Sequence, residues 1–168
     1  MTVLMIVIVR GVVAMVTAFN ILYSTAAVRR LLGLGGWVEV QLRKFAWVIW
    51  VWVKGRRPTF IGKARFRQHF VDWRRGQSRG LVVTQDLNSF WVVNPGKQTN
   101  YRVEARRDGV FCTCDDFNNQ LEFFGRGCCK HGYAVLGYLG LGSLADYLQV
   151  QKVVPFPRVG EGAAAYAA

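Results

Sequence analysis

The four cysteines of this chain all lie between positions 112 and 129, and a histidine follows two residues after the last of them. Thiol and imidazole groups this close together are typical of a metal site, and Zn²⁺ commonly takes four such ligands at tetrahedral corners. The cluster has two halves, Cys112-Thr113-Cys114 and Cys128-Cys129-Lys130-His131. A turn can direct both thiols of the first half at one ion, and Cys129 with His131 can complete the shell from the start of a helix. The spacing therefore predicts a structural zinc site with Cys3His ligands.

Two other interpretations of the cysteines are weaker on chemical grounds. Disulfide bonds need an oxidising compartment, no cleavable signal sequence is evident, and the adjacent Cys128 and Cys129 could bridge only with strain. A nucleophilic pair of Cys129 and His131 would leave the other thiols unused, and no further catalytic motif accompanies it. Within the zinc interpretation Cys128 is the spare thiol, although its three-residue spacing to His131 is also compatible with a helix. We therefore expect no enzymatic activity and no small-molecule substrate.

The residues around the cysteines resemble those of the SWIM zinc finger, whose pattern is CxC followed at a variable distance by CxH. The agreement covers about residues 98–140, and the matching positions are Tyr101, Val103, Cys112, Cys114, Asp116, Phe117, Cys129, Lys130, His131, Ala134 and Val135. The resemblance implies a small strand–strand–helix unit that binds zinc through Cys112, Cys114, Cys129 and His131. It also implies DNA or protein binding, the roles associated with that family. The extra Cys128 departs from the family pattern.

Positive charge is concentrated in one part of the chain. Lys and Arg number 22 against 10 Asp and Glu, and residues 54–79 contain nine of the basic residues beside a single acid, Asp72. Localised positive charge suits a phosphate backbone or an anionic membrane surface. We expect a nucleic-acid ligand, with DNA favoured, that is contacted by Arg65, Arg67, Arg74 and Arg75. The alternatives are a solvated face without a ligand and a protein partner bound by the segment 123–126.

Residues 3–28 form an almost continuous apolar run that ends at Arg29-Arg30. About 20 apolar residues can span a bilayer, and terminal arginines are typical of a cytoplasmic end. Arg10 opposes this interpretation, because a charge at the membrane centre costs about 2.5–3.5 kcal/mol. Residues 1–53 are therefore either a membrane anchor or a buried helix plus strand. We expect a cytoplasmic protein that residues 3–28 could attach to a membrane. The alternative to nucleic-acid binding is a membrane-anchored adaptor whose basic segment contacts anionic lipid.

The remaining sequence divides into a basic region, a β-rich region and a tail. Residues 54–79 predict a linker over 55–62 and an amphipathic helix over 63–75, with an apolar stripe of Phe66, Phe70 and Trp73 and a stop at Gly76. Residues 80–152 predict a β-meander that carries the finger, because short strands of β-branched and aromatic residues alternate with turn residues. Its strands are expected near 81–84, 90–93, 101–105 and 110–112, followed by a polar loop over 118–127 and helices over 132–139 and 144–150. Residues 153–168 predict a disordered tail.

Together these patterns predict an α+β fold. It consists of a small antiparallel sheet with a ββα zinc-finger unit, preceded by a hydrophobic N-terminal helical segment. The expected function is that of a binding module in which the metal holds the fold together, because a shell filled by four protein ligands leaves no position for an activated water.

Overall fold

Two antiparallel sheets, each covered by helices, make up the part of the chain that the computed structural model describes, residues 17–153. The predicted α+β class and the N-terminal helical segment are thereby confirmed. The elements in chain order are α1 (Ala18–Leu22), α2 (Thr25–Leu31), β1 (Val40–Lys44), β2 (Val48–Val53), β3 (Thr59–Gly62), α3 (Lys63–Ser78), β4 (Val82–Asp86), β5 (Ser89–Asn94), β6 (Thr99–Arg106), β7 (Gly109–Cys112), α4 (Asp115–Phe124), α5 (Lys130–Tyr138) and α6 (Leu144–Val153).

The first sheet has the order β1-β2-β3 and was only partly anticipated from the sequence. Strand β3 lies within the predicted linker over 55–62 and pairs antiparallel with β2, so that Ile61 faces Ile49. Both of these side chains are buried, because one face of the sheet packs on a core shared with α1, α2 and α3. The linker interpretation was wrong for residues 59–62, where a short strand follows the turn over residues 54–56 and pairs with β2. This sheet crosses the boundary between residues 53 and 54 that the charge pattern predicts.

The apolar run does not form one long helix where the structure describes it. Residues 17–28 contain α1 and the start of α2, and the capping side chain of Ser24 accepts a hydrogen bond from the Ala27 amide at 3.0 Å. Tyr23 and Val28 are buried in the first core, where Tyr23 meets Phe66 of α3 edge-on with ring centroids 5.4 Å apart. Within residues 17–153 no helix has the length and hydropathy to cross a bilayer. The rest of the predicted anchor, residues 3–16, lies outside the described residues, as does most of the predicted tail, residues 154–168.

The second sheet is the predicted meander, with the order β4-β5-β6-β7. Its strands match those expected from the β-branched and aromatic runs, and Val103 of β6 lies opposite Cys112 of β7. Val92, Val103 and Val110 are buried on one face beneath α5. The helices α5 and α6 also match the predictions over 132–139 and 144–150. The sheet therefore brings the first two cysteines to the end of β7, beside the start of α5.

Helix α3 joins the two halves of the fold. Phe66 is fully buried in the first core, and the C-terminal part of the helix packs against α5. The predicted stop at Gly76 was wrong, because α3 continues to Ser78, whose buried hydroxyl donates a hydrogen bond to the Arg75 carbonyl at 2.8 Å. Trp73 of the predicted apolar stripe is 41% exposed, and the Arg30 guanidinium covers its ring at 4.4 Å.

Helix α4 replaces the loop that was predicted over 118–127. Asp115 and Asp116 occupy its first turn, where the positive end of the helix dipole stabilises negatively charged carboxylates. Gly125 ends the helix in the left-handed conformation, with a φ of 67°, and its amide donates to the Leu121 carbonyl. These start and stop signals were present in the sequence, but the polar Asn118-Asn119-Gln120 between them favoured a loop.

Candidate metal centre

The fold brings together the four residues that the sequence singled out. Cys112 ends β7, Cys114 is the N-cap residue of α4, Cys129 is the N-cap residue of α5, and His131 lies in the first turn of α5. One ligand atom from each of the four lies within 4.8 Å of all the others, and all four residues are buried. Three helix and strand ends therefore converge on one point that could hold a metal ion.

Distances within the group fit a tetrahedral ion. The Nδ1 atom of His131 lies 3.6 Å from Sγ of Cys112 and 3.8 Å from Sγ of Cys129. Zinc bonds of about 2.3 Å to sulfur and about 2.0–2.1 Å to nitrogen place two tetrahedral ligands about 3.5–3.6 Å apart. The two separations from Nδ1 are close to this value, and all four ligand atoms lie within 4.8 Å of one another, so the group could hold an ion. Nδ1 of His131 is the ring nitrogen that faces the sulfurs.

The protein supports negative charge on this cluster. The Gly132 amide donates a hydrogen bond to Sγ of Cys129 at 3.4 Å, as expected at a helix N-terminus. Hydrogen bonding from Cys112 lowers the pKa of the Cys114 thiol, and the same contact raises the pKa of Cys112 to about 12. A thiolate is therefore favoured within the group, and thiolate is the form of cysteine that binds metals.

The second nitrogen of His131 is unusual. Its Nε2 atom is buried, and no described residue forms a hydrogen bond to it. The imidazole ring instead stacks on Tyr101 of β6, with ring centroids 4.3 Å apart. Stacking fixes the ring plane and keeps Nδ1 directed at the three sulfurs, so in this site an aromatic contact performs the orienting role that a hydrogen bond often has.

Cys128 lies beside the cluster but outside it. Its side chain is buried, and its sulfur lies 3.8 Å from the Cys129 carbonyl oxygen. Burial raises the pKa of the Cys128 thiol to about 12, which favours the neutral form. A Cβ atom added at Gly132 would lie 2.9 Å from this sulfur, so the thiol fills the space next to the first turn of α5. The structure therefore places Cys129, and not Cys128, in the group of four.

A polar network holds the segment before Cys129 in position. Buried Gln120 of α4 accepts a hydrogen bond from the Cys128 amide at 3.1 Å through its Oε1 atom. Its Nε2 atom donates to Asp116 at 3.2 Å, and Asp116 in turn accepts from Arg74 of α3 at 2.9 Å. The described partners of Asp116 are Arg74 and Gln120. The network connects α3, α4 and the second pair of candidate ligands.

The four arginines predicted to contact nucleic acid fall into two groups. Arg65 and Arg67 are exposed on α3. The Arg74 side chain is 16% exposed because it pairs with Asp116 and lies over the Phe70 ring at 3.4 Å. Arg75 faces Tyr133 of α5, with its guanidinium 5.6 Å from the ring centroid. Arg74 and Arg75 thus take part in packing, and the nucleic-acid contacts stay a prediction.

No protein-family model matches the chain, and the comparisons with curated proteins and with solved structures likewise found no match. The SWIM resemblance accordingly rests on the residues and their geometry. What the structure supports directly is a group of four buried Cys and His side chains that could bind a metal ion, consistent with a zinc finger. The sequence did not anticipate Gln120; its one signal was a polar residue between the apolar positions Phe117 and Leu121.

Proposed function

We propose that this protein is a zinc-stabilised binding module whose ligand is nucleic acid, with DNA favoured. The observation that carries the proposal is the close, buried grouping of Cys112, Cys114, Cys129 and His131 in a chain with dense local positive charge. Sulfur-rich sets of four favour Zn²⁺ over harder cations. The order CxC, helix, CxH supports a SWIM-type finger in which α4 separates the two ligand pairs.

The role of the metal in this proposal is structural. Four protein ligands fill a tetrahedral shell, so a bound zinc ion would have no open position for a substrate or an activated water. The ligands come from the end of β7 and from the N-termini of α4 and α5, which a shared ion would hold together. Since such a site forms only in the folded chain, the free energy of metal binding contributes to folding.

Nucleic acid is favoured as the ligand because exposed cations outnumber acids along one part of the surface. Arg65 and Arg67 on α3 are exposed, as are Arg56 and Arg57 in the turn before β3. Backbone phosphates attract such groups regardless of base sequence. The ligand would thus contact cations on the α3 surface, whereas Arg74 and Arg75 would act by holding α3 on α4 and α5.

Metal content and salt dependence test the two halves of the proposal separately. The purified protein should contain one zinc ion per chain, and Cys112→Ser or His131→Ala should lose it. Binding to duplex DNA should weaken steeply with salt, and the variant Arg65→Gln/Arg67→Gln should flatten the log–log slope by up to about 1.8, at about 0.9 per phosphate contact.

The matched control removes the same charge elsewhere. Lys97 and Arg107 are exposed in turns of the second sheet, and Lys97→Gln/Arg107→Gln should leave the slope unchanged. If both double variants change the slope equally, the protein attracts DNA only through its net charge. Zinc content without binding to DNA or RNA at low salt would reject nucleic acid, and anionic liposomes or a protein partner would then be tested.

A further inference from the structure

The outer face of the first sheet carries a row of aromatic side chains that the core does not use. In the register of the strands, Arg43 of β1 lies opposite Trp50 of β2, and Trp50 lies opposite Phe60 of β3. Alternate residues of a strand face opposite sides of its sheet. Ile49 and Val51 are buried in the first core, so Trp50 projects from the other face.

Two further aromatic rings extend this row. Phe60 is 62% exposed, and its ring lies 6.1 Å from the ring of Phe45, which is 51% exposed. Trp52 follows Trp50 by two residues on β2 and therefore lies on the same face, opposite Gln41 of β1. The outer face thus carries four aromatic side chains, of which Phe45 and Phe60 are exposed and Trp50 and Trp52 are half-buried. We call these four residues the aromatic row.

Basic side chains surround the aromatic row. The strands and turns of this sheet, residues 37–62, contain five Lys and Arg residues and one acid, Glu39. All five basic residues are exposed: Arg43, Lys44, Lys54, Arg56 and Arg57. Lys44 lies opposite Ile49 and therefore on the core side of the sheet, so the other four are the ones on the face of the row or in the β2–β3 connection. Glu39 lies 3.8 Å from Lys54, and the Arg43 guanidinium lies 5.5 Å from the Trp50 ring centroid. A ligand on the rings would therefore meet a surface of net positive charge.

We propose that the aromatic row binds single-stranded nucleic acid by base stacking, with the surrounding cations contacting its phosphates. Unpaired bases can leave their own stack and lie on protein rings, whereas the bases of a duplex are already stacked and covered by the backbone. Rings in neighbouring strands and cations at their edges match the alternation of base and phosphate along such a strand. This inference rests on the proposed function and adds to it the form of the ligand and the surface that binds it.

The test compares single-stranded with duplex DNA on the full-length, zinc-loaded protein. Fluorescence anisotropy would follow a labelled oligothymidylate and a labelled duplex of the same length. The variant Trp50→Leu/Phe60→Leu keeps apolar side chains on the strands but removes two stacking rings. It should weaken binding of oligothymidylate by at least about fivefold, the lower limit for one lost stacked base. Its affinity for the duplex and the salt slope should stay unchanged.

The matched control is Trp91→Leu, which removes a tryptophan that is 40% exposed on β5 of the other sheet. Zinc content and thermal unfolding would show that each variant is folded. Equal loss of oligothymidylate binding in both variants, or no loss in Trp50→Leu/Phe60→Leu, overturns the stacking surface while the proposed function stands. Absence of binding to either probe by the wild-type protein rejects both. If the double variant loses binding only to anionic vesicles, the aromatic row binds lipid. If it loses only self-association, measured by light scattering, the row binds a second copy of the chain.

Discussion

Arg74 of α3 and Asp116 of α4 form a two-contact ion pair, with Nε to Oδ2 at 2.9 Å and a second hydrogen bond from the other guanidinium nitrogen to Oδ1. Paired contacts of this kind fix geometry as well as charge. Asp116 also accepts from Gln120, which receives the amide hydrogen bond of Cys128. Helix α3 is thereby connected to residues 128–131, which carry two of the candidate metal ligands, Cys129 and His131.

This ion pair should stabilise the fold measurably. In a double-mutant cycle with Arg74→Gln and Asp116→Asn, followed by denaturant unfolding of zinc-loaded protein, we expect a coupling free energy of about 1–3 kcal/mol. The value is large for an ion pair because the Arg74 side chain is mostly buried. The exposed Glu39–Lys54 pair, at 3.8 Å, is the control and should give under about 0.5 kcal/mol. Equal couplings for the two pairs would contradict the structural role of Arg74.

The adjacent cysteines should differ sharply in metal content. Cys129→Ser should lose zinc, because Sγ of Cys129 lies within the group of four and 3.8 Å from Nδ1 of His131. Cys128→Ser should retain about one zinc ion per chain, since its thiol lies outside that group. Metal analysis of the two purified variants makes the comparison directly. The reverse result would assign the third sulfur ligand to Cys128.

Removal of the metal should unfold the segments that carry the four candidate ligands and leave intact the core between the first sheet and helices α1 to α3. Chelation of the wild-type protein should abolish amide protection in β7, α4 and α5, whose ends carry the ligands. The first core contains no candidate ligand, and its buried residues, including Val28, Ile49 and Phe66, should keep their protection. Hydrogen exchange with and without chelator distinguishes this outcome from loss of the whole fold, which would show that the two cores unfold together.

Gln120 should affect both the stability of the fold and the retention of zinc, although it is not one of the four candidate ligands. Gln120→Leu keeps a side chain of similar size but leaves the buried Cys128 amide without its acceptor, at a cost of about 1–3 kcal/mol. Because that amide precedes Cys129, we also expect faster transfer of zinc to a competing chelator. The control is Asn118→Leu, which replaces an exposed amide side chain of the same helix and should change neither quantity.

Tyr147 should stabilise the fold in a pH-dependent way. It is 4% exposed, and its hydroxyl donates to the Arg106 carbonyl at 2.9 Å, so Tyr147→Phe should cost about 1 kcal/mol at neutral pH. Burial raises the pKa of this hydroxyl above its ordinary value of about 10. The contribution is therefore complete below pH of about 10 and is lost as the pH rises through the folded-state value. The stabilities of wild type and Tyr147→Phe should converge at alkaline pH, and Tyr138→Phe, at an exposed position, is the control at neutral pH.

The amino-acid sequence was sufficient to predict the elements whose structure depends mainly on residues close to one another in the chain. The strands of the meander and helices α5 and α6 follow from residue type and turn chemistry within short windows. The set of Cys112, Cys114, Cys129 and His131 was also evident, because metal ligands must combine particular side chains at short spacings. Helix α4 was missed although Asp115 and Gly125 mark its ends, since the polar residues between them gave a loop pattern.

Tertiary structure alone decided which surfaces meet. Strand β3 is only four residues long and depends on pairing with β2, and residues 17–28 join the first core through contacts such as that of Tyr23 with Phe66. Arg74 and Arg65 look equivalent in the sequence, yet one is held by Asp116, a residue 42 positions away, and the other is exposed. Long-range packing decides these outcomes because burial and pairing depend on the distance between side chains in space, and a local pattern of charge or hydropathy does not contain that distance.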